Sequence, residues 1–467
     1  MDNLLRCVQA LSHSLYHTKL KFNAPELDQL IKDVVDDFRP VSALKGGTEK
    51  IIFIDYFGWD NKGLSQQYLS FLIEGEYDFV YVHLNSSKSF LESNIYKTLQ
   101  ASNSCSLLLD EVLSIREKIK KLSHLFELIS PRCVIFHTAP WDVISVALCF
   151  IFPRLIKINI NITDHAFWLG ATAFDYVINF RPYGGEIALK KRAISIEKLL
   201  YAPMYPIVSS DTRLIPEIQK AKADGKVVLI SGGALYKVAD EECRFLNLIA
   251  SILEFDKNVV FFILGSGDRS SIDRFVSDRE LGGQFFVLPE SPHIFSFLRS
   301  ADIYIGTFPV AGGLMTQLCS MAGLPFVAMK EKGDSDSKLL SVLAKFPKYK
   351  VLFDDMDACK REIFRLIYDK GYRRERSDDF SSCAPSKFAF VNSMTKILSD
   401  IEDMTCRELN ATHAVQFLEN DSVVLSGREN IDKYYLIPFK YMGFSALRYD
   451  LLLFFKAIPA IFRRVFL

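Results

Sequence analysis

Three small residues directly before a helix, Ala311, Gly312 and Gly313, form the stretch whose chemistry follows most directly from residue types. Because these residues have little or no side chain, their backbone amides can approach a diphosphate closely. The helix that opens at about Leu314 adds free N–H groups and the positive end of its dipole. Thr316, in the first turn, contributes a hydroxyl group. The stretch therefore predicts an anion site built mainly from backbone groups.

His165, in the segment TDHAFWLG, is the first candidate for proton transfer. An imidazole can act as a general base, and this one follows an apolar run, so it suits the removal of a proton from a hydroxyl group. Asp164 either orients this ring or is itself the base. His137, at the end of RCVIFH, is the second choice, and Asp60 is the third. The alternative for His165 is a structural histidine whose ring nitrogens bond the backbone at a domain junction.

Short apolar runs that end in glycine predict the strands that position these groups. Three such runs lie between Val227 and Lys330, and helical periodicity follows the first two. The pattern is typical of buried parallel strands in a doubly wound sheet, whose ligands sit at the carboxyl ends of the strands. The alternation of strands and helices over 51–205 predicts another such sheet. Pro203 and Pro206 predict the linker between the two.

The predicted architecture is α/β, with two Rossmann-like, doubly wound domains that face each other across a cleft. The predicted divisions are a helical lead-in (1–46), an N-terminal domain (47–205), a C-terminal domain (206–385) and C-terminal helices (386–467). Within these divisions, a long helix is predicted from Leu107 to about Ile129, and a polar loop is predicted over 377–386.

Composition limits the class of protein. The chain has 467 residues, and lysine plus arginine equals aspartate plus glutamate at 56 each, so no overall field favours nucleic acid. Nine cysteines without a Cys-x-x-Cys pair predict free thiols in a reducing compartment. The first residues lack a secretory signal, and the apolar run 143–152 is too short to span a bilayer. A cytoplasmic protein is expected.

Two α/β domains, with SGGALYK and TFPVAGGLMTQLCSMAGLPFV in the second, resemble the GT-B glycosyltransferases. The likeness is to bacterial capsule or O-antigen transferases and to O-GlcNAc-transferase-like enzymes, without the TPR repeats of the latter. It covers 225–330 by motif and 50–205 by architecture and by TDHAFWLG. The resemblance implies transfer of a sugar from a nucleotide diphosphate sugar, here a UDP-sugar, to a hydroxyl of a glycan or lipid-linked glycan. A role in bacterial polysaccharide biosynthesis is expected.

The resemblance also assigns roles to residues. Lys237 matches the lysine that neutralises charge on the departing diphosphate, although a solvated lysine on a helix flank is the alternative. Where the O-GlcNAc enzymes place a histidine and paired threonines, this chain has Gly313, Leu314 and Met315, so fewer side chains reach the phosphates. Further donor-binding candidates are Gly232, Gly233, Gly265, Gly267, Leu288, Glu290 and His293. The acceptor-side candidates are Gly58, Asp60, Asn61, Gly63 and His137.

Other features leave alternatives open. No dense cluster of metal-ligating residues occurs, so no metal ion is expected, and the transferase would be metal-independent. Asp334 and Asp336 either hold sugar hydroxyls or are solvated turn carboxylates. Sugar-nucleotide 2-epimerases share this architecture and are a second reading of the chain. A non-catalytic GT-B subunit that binds a partner transferase is a third.

The last stretch of the chain, Ser445 to Leu467, differs in character from the rest. Arg448, Lys456 and Arg463 fall on one side of a helix whose broad remaining arc is apolar. This pattern predicts a basic amphipathic helix on an anionic membrane surface, which would place the protein at the inner face of the cell membrane. The alternative is a last helix that docks on the N-terminal domain.

Overall fold

The computed structural model describes residues 1–18, 21–38, 48–58, 60, 64–208 and 216–403. Of these, 1–202 and the chain from Val391 form one compact unit, and Pro203–Phe390 form the other. Asn61, Gly63 and the basic segment 445–467 lie outside the described residues. No helix in the described part of the chain combines the length and the apolar character needed to cross a membrane.

The first unit is built on a seven-stranded parallel sheet with the strand order β3-β2-β1-β4-β5-β6-β7. Its central strands are apolar on both faces and fully buried, as expected where helices cover a parallel sheet on both sides. The order reverses between β1 and β4, which makes this pair the topological switch point of the sheet. The strands are β1 (Ile51–Asp55), β2 (Phe79–Ser86), β3 (Cys105–Asp110), β4 (Cys133–His137), β5 (Ile156–Ile160), β6 (Tyr176–Asn179) and β7 (Leu199–Tyr201).

Two helices precede this sheet, and one of them is tied to a later loop. The buried carboxylate of Asp28 accepts hydrogen bonds from the backbone N–H of Gly170 at 2.8 Å and of Thr172 at 3.0 Å. The hydroxyl of Thr172 donates to the same carboxylate at 2.8 Å. The helices that lie before Pro203 are α1 (Asp2–Thr18), α2 (Pro25–Val35), α3 (Ser65–Glu74), α4 (Asn94–Ala101), α5 (Ile115–Ile129), α6 (Val143–Ile151) and α7 (Pro182–Arg192).

The prediction of one long helix from Leu107 to Ile129 was wrong in its first part. The apolar run Leu107–Leu109 belongs to β3, at the edge of the sheet, and the helix begins only at Ile115. Ser114 starts it with a capping box, in which the Ser114 side chain accepts from the N–H of Glu117 and the Glu117 carboxylate accepts from the N–H of Ser114. Periodicity alone cannot separate a short apolar strand from a helical turn.

The second unit has a six-stranded parallel sheet with the order β10-β9-β8-β11-β12-β13. Its switch point lies between β8 and β11. The strands are β8 (Val227–Gly232), β9 (Val259–Gly265), β10 (Phe285–Pro289), β11 (Ile303–Gly306), β12 (Phe326–Met329) and β13 (Leu352–Phe353). The α/β class and the two parallel sheets predicted from the sequence are confirmed.

The helices from Pro216 onward include one where a loop was predicted. The range 377–386 is polar, but its first part belongs to α15, because Tyr372, Arg376 and Phe380 recur at helical spacing and are buried. The helices are α8 (Pro216–Ala223), α9 (Arg244–Leu253), α10 (Ser270–Asp278), α11 (Ile294–Ser300), α12 (Gly313–Ala322), α13 (Ser337–Leu340), α14 (Met356–Tyr368), α15 (Lys370–Ser381) and α16 (Lys387–Asp403).

Candidate functional site

The loops that follow β8 and β9 are bonded to each other. The N–H of Gly233 donates to the carbonyl oxygen of Leu264 at 2.9 Å, and the N–H of Leu235 donates to Ser266 at the same distance. A Cβ atom on Gly265 would lie 2.0 Å from the carbonyl oxygen of Gly233, so no side chain fits there. Gly233 itself has a φ of +136°, which favours glycine. The two predicted glycine turns therefore form one rigid rim at the carboxyl end of the sheet.

Lys237 lies beside this rim, in a short 3₁₀ helix over Leu235–Val238. Its ammonium nitrogen is 3.5 Å from the position of a Cβ on Gly312 and 3.9 Å from that of a Cβ on Gly233. The charge thus sits between the turns that follow the two switch strands, β8 and β11. Burial lowers the pKa of Lys237, and no carboxylate in the described ranges pairs with it. A desolvated cation without a counter-charge favours the binding of an anion.

Helix α12 begins beside the same ammonium group. Its N-cap, Gly312, has extended backbone geometry, and no side chain caps the helix. The N–H groups of Gly313, Leu314 and Met315 have no acceptor within the helix, so they add donors and a partial positive charge. Ala311, just before the cap, is half-buried. The start of α12 and Lys237 are therefore adjacent in the structure. Both were candidate donor-binding groups in the sequence.

Thr316 does not supply a hydroxyl to this helix start. Its side chain is fully buried, and its Oγ1 donates to the carbonyl oxygen of Gly312 at 3.1 Å. The hydroxyl therefore stabilises the turn that presents the backbone N–H groups. In this arrangement Thr316 contributes to the site only by holding Gly312, at the start of the helix, in place.

Tyr304, which was not predicted as a site residue, stabilises the end of β8 at Gly232. Its hydroxyl donates to the carbonyl oxygen of Gly232 at 3.2 Å and accepts from the N–H of Gly232 at 3.3 Å. A Cβ on Gly232 would lie 3.0 Å from Cε of Met315, the flexible end of that side chain. Burial raises the pKa of Tyr304 well above its ordinary value, and the phenol stays neutral. In the sequence, the only sign of this role is that Tyr304 is a tyrosine within an apolar strand.

The remaining donor-side candidates lie along the neighbouring strands. Leu288 is in β10, in register with Leu264. Glu290 follows that strand and is exposed, whereas His293 is the N-cap of α11, with its N–H donating to Oγ of Ser291 at 3.1 Å. Gly267 has a φ of +123° beside Leu235. Gly267 is thus adjacent to Leu235, two residues before Lys237.

The loop after β12 holds its acidic residues in ion pairs. Asp334 pairs with Lys338 at 2.8 Å, and Asp336 pairs with Lys330 at 2.7 Å. These contacts fix the loop and reduce the capacity of the two carboxylates to accept sugar hydroxyls. Within the described ranges, no three His, Cys, Asp or Glu side chains converge in a way that could hold a metal ion.

In the first unit, Asp164 forms an ion pair with Arg181. Its buried carboxylate accepts from Nε of Arg181 and from Nη2 of Arg181, the latter at 2.7 Å. Burial would raise the pKa of Asp164, but the charge of Arg181 outweighs it and holds that pKa well below the usual range. Asp164 is thus a very weak base, and this geometry favours a structural role for it.

A second arginine, Arg192, fixes the loop that carries His165. Its buried Nη2 donates to the carbonyl oxygens of Thr163 at 2.8 Å and of Ala166. Burial lowers the pKa of Arg192 to about 9. His165 itself is 49% exposed, and its Nδ1 is 3.4 Å from Asp164. The ring therefore stands at the surface of the unit with one long contact to a carboxylate already held by Arg181.

His137 occupies a different environment, at the end of β4. Its Nδ1 lies 2.9 Å from Oδ1 of Asp55, the last residue of β1, and both side chains are fully buried. Oγ of Ser65, at the start of α3, is 3.1 Å from the same nitrogen. Asp55 and Ser65 were not predicted as site residues. Sequence reasoning thus found one member of this group and missed its partners.

The other acceptor-side candidates support the neighbouring loops. Gly58 has a φ of +57°, and a Cβ there would lie 2.8 Å from the ring of His83. The carboxylate of Asp60 accepts from the N–H of Asn94 at 2.6 Å and of Ile95 at 3.1 Å, so it caps α4. This contact accounts for Asp60 without any role in proton transfer.

Comparison with known proteins gives structural matches only. No protein-family model matches the chain, and no curated protein matches it significantly. Anabaena HepE, solved with UDP and glucose, has a TM-score of 0.55 at 11% identity, over 76% of this chain and 100% of HepE. A mutant O-GlcNAc transferase of Thermobaculum terrenum gives 0.54 at 16% identity, over 86% and 78%.

A third match is an epimerase. The UDP-GlcNAc 2-epimerase of Neisseria meningitidis, bound to UDP-GlcNAc, gives a TM-score of 0.50 at 10% identity, over 76% of this chain and 99% of the epimerase. At these identities the likeness shows the fold, which GT-B glycosyltransferases and sugar-nucleotide 2-epimerases share. The two parallel α/β sheets described above and these matches together establish that this chain has the GT-B fold, as predicted from its sequence.

Proposed function

We propose that the protein is a glycosyltransferase that moves a sugar from a nucleotide diphosphate sugar, a UDP-sugar, to a hydroxyl of a glycan or lipid-linked glycan. One observation carries this proposal: the ammonium group of Lys237 has no counter-charge among the described residues and lies between two glycine turns, beside the uncapped start of α12. A cation and free N–H groups at one point form a site for a diphosphate. The turns belong to the switch strands, where ligands of doubly wound sheets bind.

In the proposed reaction, negative charge develops on the diphosphate, next to Lys237. The bond between the sugar carbon and the diphosphate oxygen breaks, and its electron pair leaves with the diphosphate. The acceptor oxygen forms the new bond to that carbon, and its proton passes to a base. Because negative charge grows on the diphosphate during this step, Lys237 and α12 stabilise the transition state more than the bound donor. No metal ion is part of this proposal.

The solved structures of the same fold support the choice of nucleotide. HepE was solved with UDP and with UDP-glucose, and the Neisseria epimerase was solved with UDP-GlcNAc. We also propose that the protein takes part in polysaccharide biosynthesis in a bacterium. It is supported by the resemblance of the glycine-turn motifs to capsule and O-antigen transferases.

A screen of thermal stability tests the donor site. UDP, GDP, ADP and their sugars are added to the full chain, with a CMP-linked sugar and UMP as monophosphate comparisons. A ligand at 100 times its Kd stabilises the folded state by about 2.7 kcal/mol, so we expect the unfolding midpoint to rise by a few degrees. UDP should give a larger rise than UMP, because Lys237 and α12 bind the diphosphate.

Three results would change the assignment. Equal rises with UMP and UDP would contradict a diphosphate site at Lys237. Release of ManNAc and UDP from UDP-GlcNAc without any acceptor would identify a 2-epimerase instead. If no nucleotide changes the midpoint, the chain is a non-catalytic subunit of GT-B fold.

Membrane association is a separate proposal, based on the sequence of 445–467. A basic amphipathic helix there would bind anionic headgroups at the inner face of the cell membrane. The full chain should sediment with vesicles that contain phosphatidylglycerol, and a chain ending at residue 444 should stay in the supernatant. Equal sedimentation of the two chains would contradict the proposal.

A further inference from the structure

The switch point of the first sheet carries a buried pair of ionisable side chains. Asp55 is the last residue of β1 and His137 is the last residue of β4, and parallel pairing puts the two in register. These are the two strands between which the strand order reverses, where doubly wound sheets bind ligands. His165 follows β5, which is not a switch strand. Topology therefore favours His137 over His165 as a residue that meets a substrate.

Asp55 is held in place by several donors. The hydroxyl of Tyr81 donates to Oδ2 at 2.8 Å, and the N–H of Phe57 donates to Oδ1 at 3.0 Å. Burial would raise the pKa of Asp55, but its interactions with His137 and His83 and a hydrogen bond from Ser65 outweigh burial and hold that pKa below the usual range. The carboxylate is therefore ionised, and both of its oxygens act as acceptors.

An ionised carboxylate determines which nitrogen of His137 carries the proton. Two facing acceptors repel each other, so Nδ1, at 2.9 Å from Oδ1 of Asp55, must be the protonated nitrogen. In the neutral ring, Nε2 then keeps its lone pair. Nε2 is buried and has no hydrogen-bond partner among the described residues. A buried acceptor without a partner favours a ligand that can donate a hydrogen bond.

We propose that Nε2 of His137 is the base that takes the proton from the acceptor hydroxyl, and that Asp55 is the residue that positions its ring. This inference rests on the proposed glycosyl transfer. As the acceptor oxygen bonds to the sugar carbon, its proton moves to Nε2, and the electron pair of the broken bond leaves with the diphosphate. Asp55 stabilises the imidazolium that results. His165, exposed and weakly oriented, is replaced in this role.

Four variants, His137→Gln, Asp55→Asn, His165→Gln and the control His124→Gln, test the assignment with UDP-GlcNAc and UDP-glucose as donors and water as acceptor. UDP release should fall by about 10²- to 10⁴-fold in His137→Gln, the usual range for loss of a general base. Asp55→Asn should also lower kcat by at least about 10²-fold, because an amide can donate to Nδ1 and favour the wrong tautomer. Both variants should keep the thermal shift with UDP, since the groups around Lys237 are unchanged. His124 is an exposed histidine of α5, so His124→Gln is the control. Its rate of UDP release should match that of the wild type.

A spectroscopic readout works without any turnover. In ¹⁵N-histidine-labelled wild-type protein, the His137 ring should show a protonated Nδ1 and an unprotonated Nε2, and Asp55→Asn should change this pattern. A purely structural pair would leave UDP release unaffected in both variants. If His137→Gln fails to fold, UDP release in Asp55→Asn is the test, and the reverse holds if Asp55→Asn fails to fold.

The outcomes separate this inference from the proposed function. Wild-type release of UDP in His137→Gln, a loss only in His165→Gln, or a protonated Nε2 in the neutral wild-type ring would overturn the role of His137. By contrast, a wild-type chain that neither binds UDP nor releases it from either donor would contradict the proposed glycosyl transfer itself.

Discussion

Lys237→Ala is expected to lower kcat for sugar transfer or UDP release by about 100- to 1000-fold, the range for removal of one group that stabilises developing negative charge. The fold should be retained, because Lys237 pairs with no carboxylate in the described part of the chain and loses only its own solvation on folding. Steady-state kinetics and the unfolding midpoint measure the two effects. The donor KM should change less than kcat, since the charge grows mainly in the transition state.

Lys220→Ala is the matched control, because Lys220 is an exposed lysine of α8 in the same unit. It should keep both the rate and the midpoint of the wild type. Undiminished transfer in Lys237→Ala would remove the central support for the proposed donor site. A loss of rate with an equally lowered midpoint would show a structural lysine instead.

Gly265→Ala is expected to destabilise the second unit by on the order of 4 kcal/mol, at the upper end of single substitutions. The new Cβ would lie 2.0 Å from the carbonyl oxygen of Gly233, and backbone cannot move aside as a flexible side chain can. Separation of the two loops would also displace Leu235 and, with it, Lys237. Denaturant unfolding should show the loss of stability, and the thermal shift with UDP should disappear.

Gly282→Ala separates this effect from the general cost of replacing a glycine. Gly282 is exposed, and no atom lies within 4 Å of a Cβ built on it. Its stability should stay within about 0.5 kcal/mol of the wild type. If Gly265→Ala behaved like Gly282→Ala, the close contact between the loops after β8 and β9 would not exist in solution.

Local signals made the glycine turns predictable. A strand that ends in glycine, followed by a helical pattern, locates a ligand-facing turn without knowledge of the partner strands. The direction of a side chain within that turn is not a local property. Thr316 stands in the first turn of α12, but its hydroxyl bonds back to Gly312, as threonine in helices often does. The sequence therefore predicts the backbone donors, whereas the direction of the Thr316 hydroxyl depends on the fold.

Pairs of distant residues could not be read from the chain. Asp55 directly follows the apolar run Ile51–Ile54, and only the register of β1 against β4 brings it to His137. Asp164 adjoins His165 in the sequence, yet Arg181 takes both of its oxygens. In each case the chemistry of a carboxylate depends on which cation or donor the fold places beside it. Those partners are set by sheet register and loop packing, which one sequence does not reveal.

The contacts of Asp28 have a consequence for local unfolding. This residue of α2 holds the N–H groups of Gly170 and Thr172, and the side chain of Asn23 donates to the carbonyl oxygen of Arg192 at 2.8 Å. Arg192 in turn fixes the loop that carries His165. The amino-terminal helices and that loop thus belong to one cooperative unit, whose amides should exchange with solvent together. Helix α2 is therefore part of the scaffold of this unit.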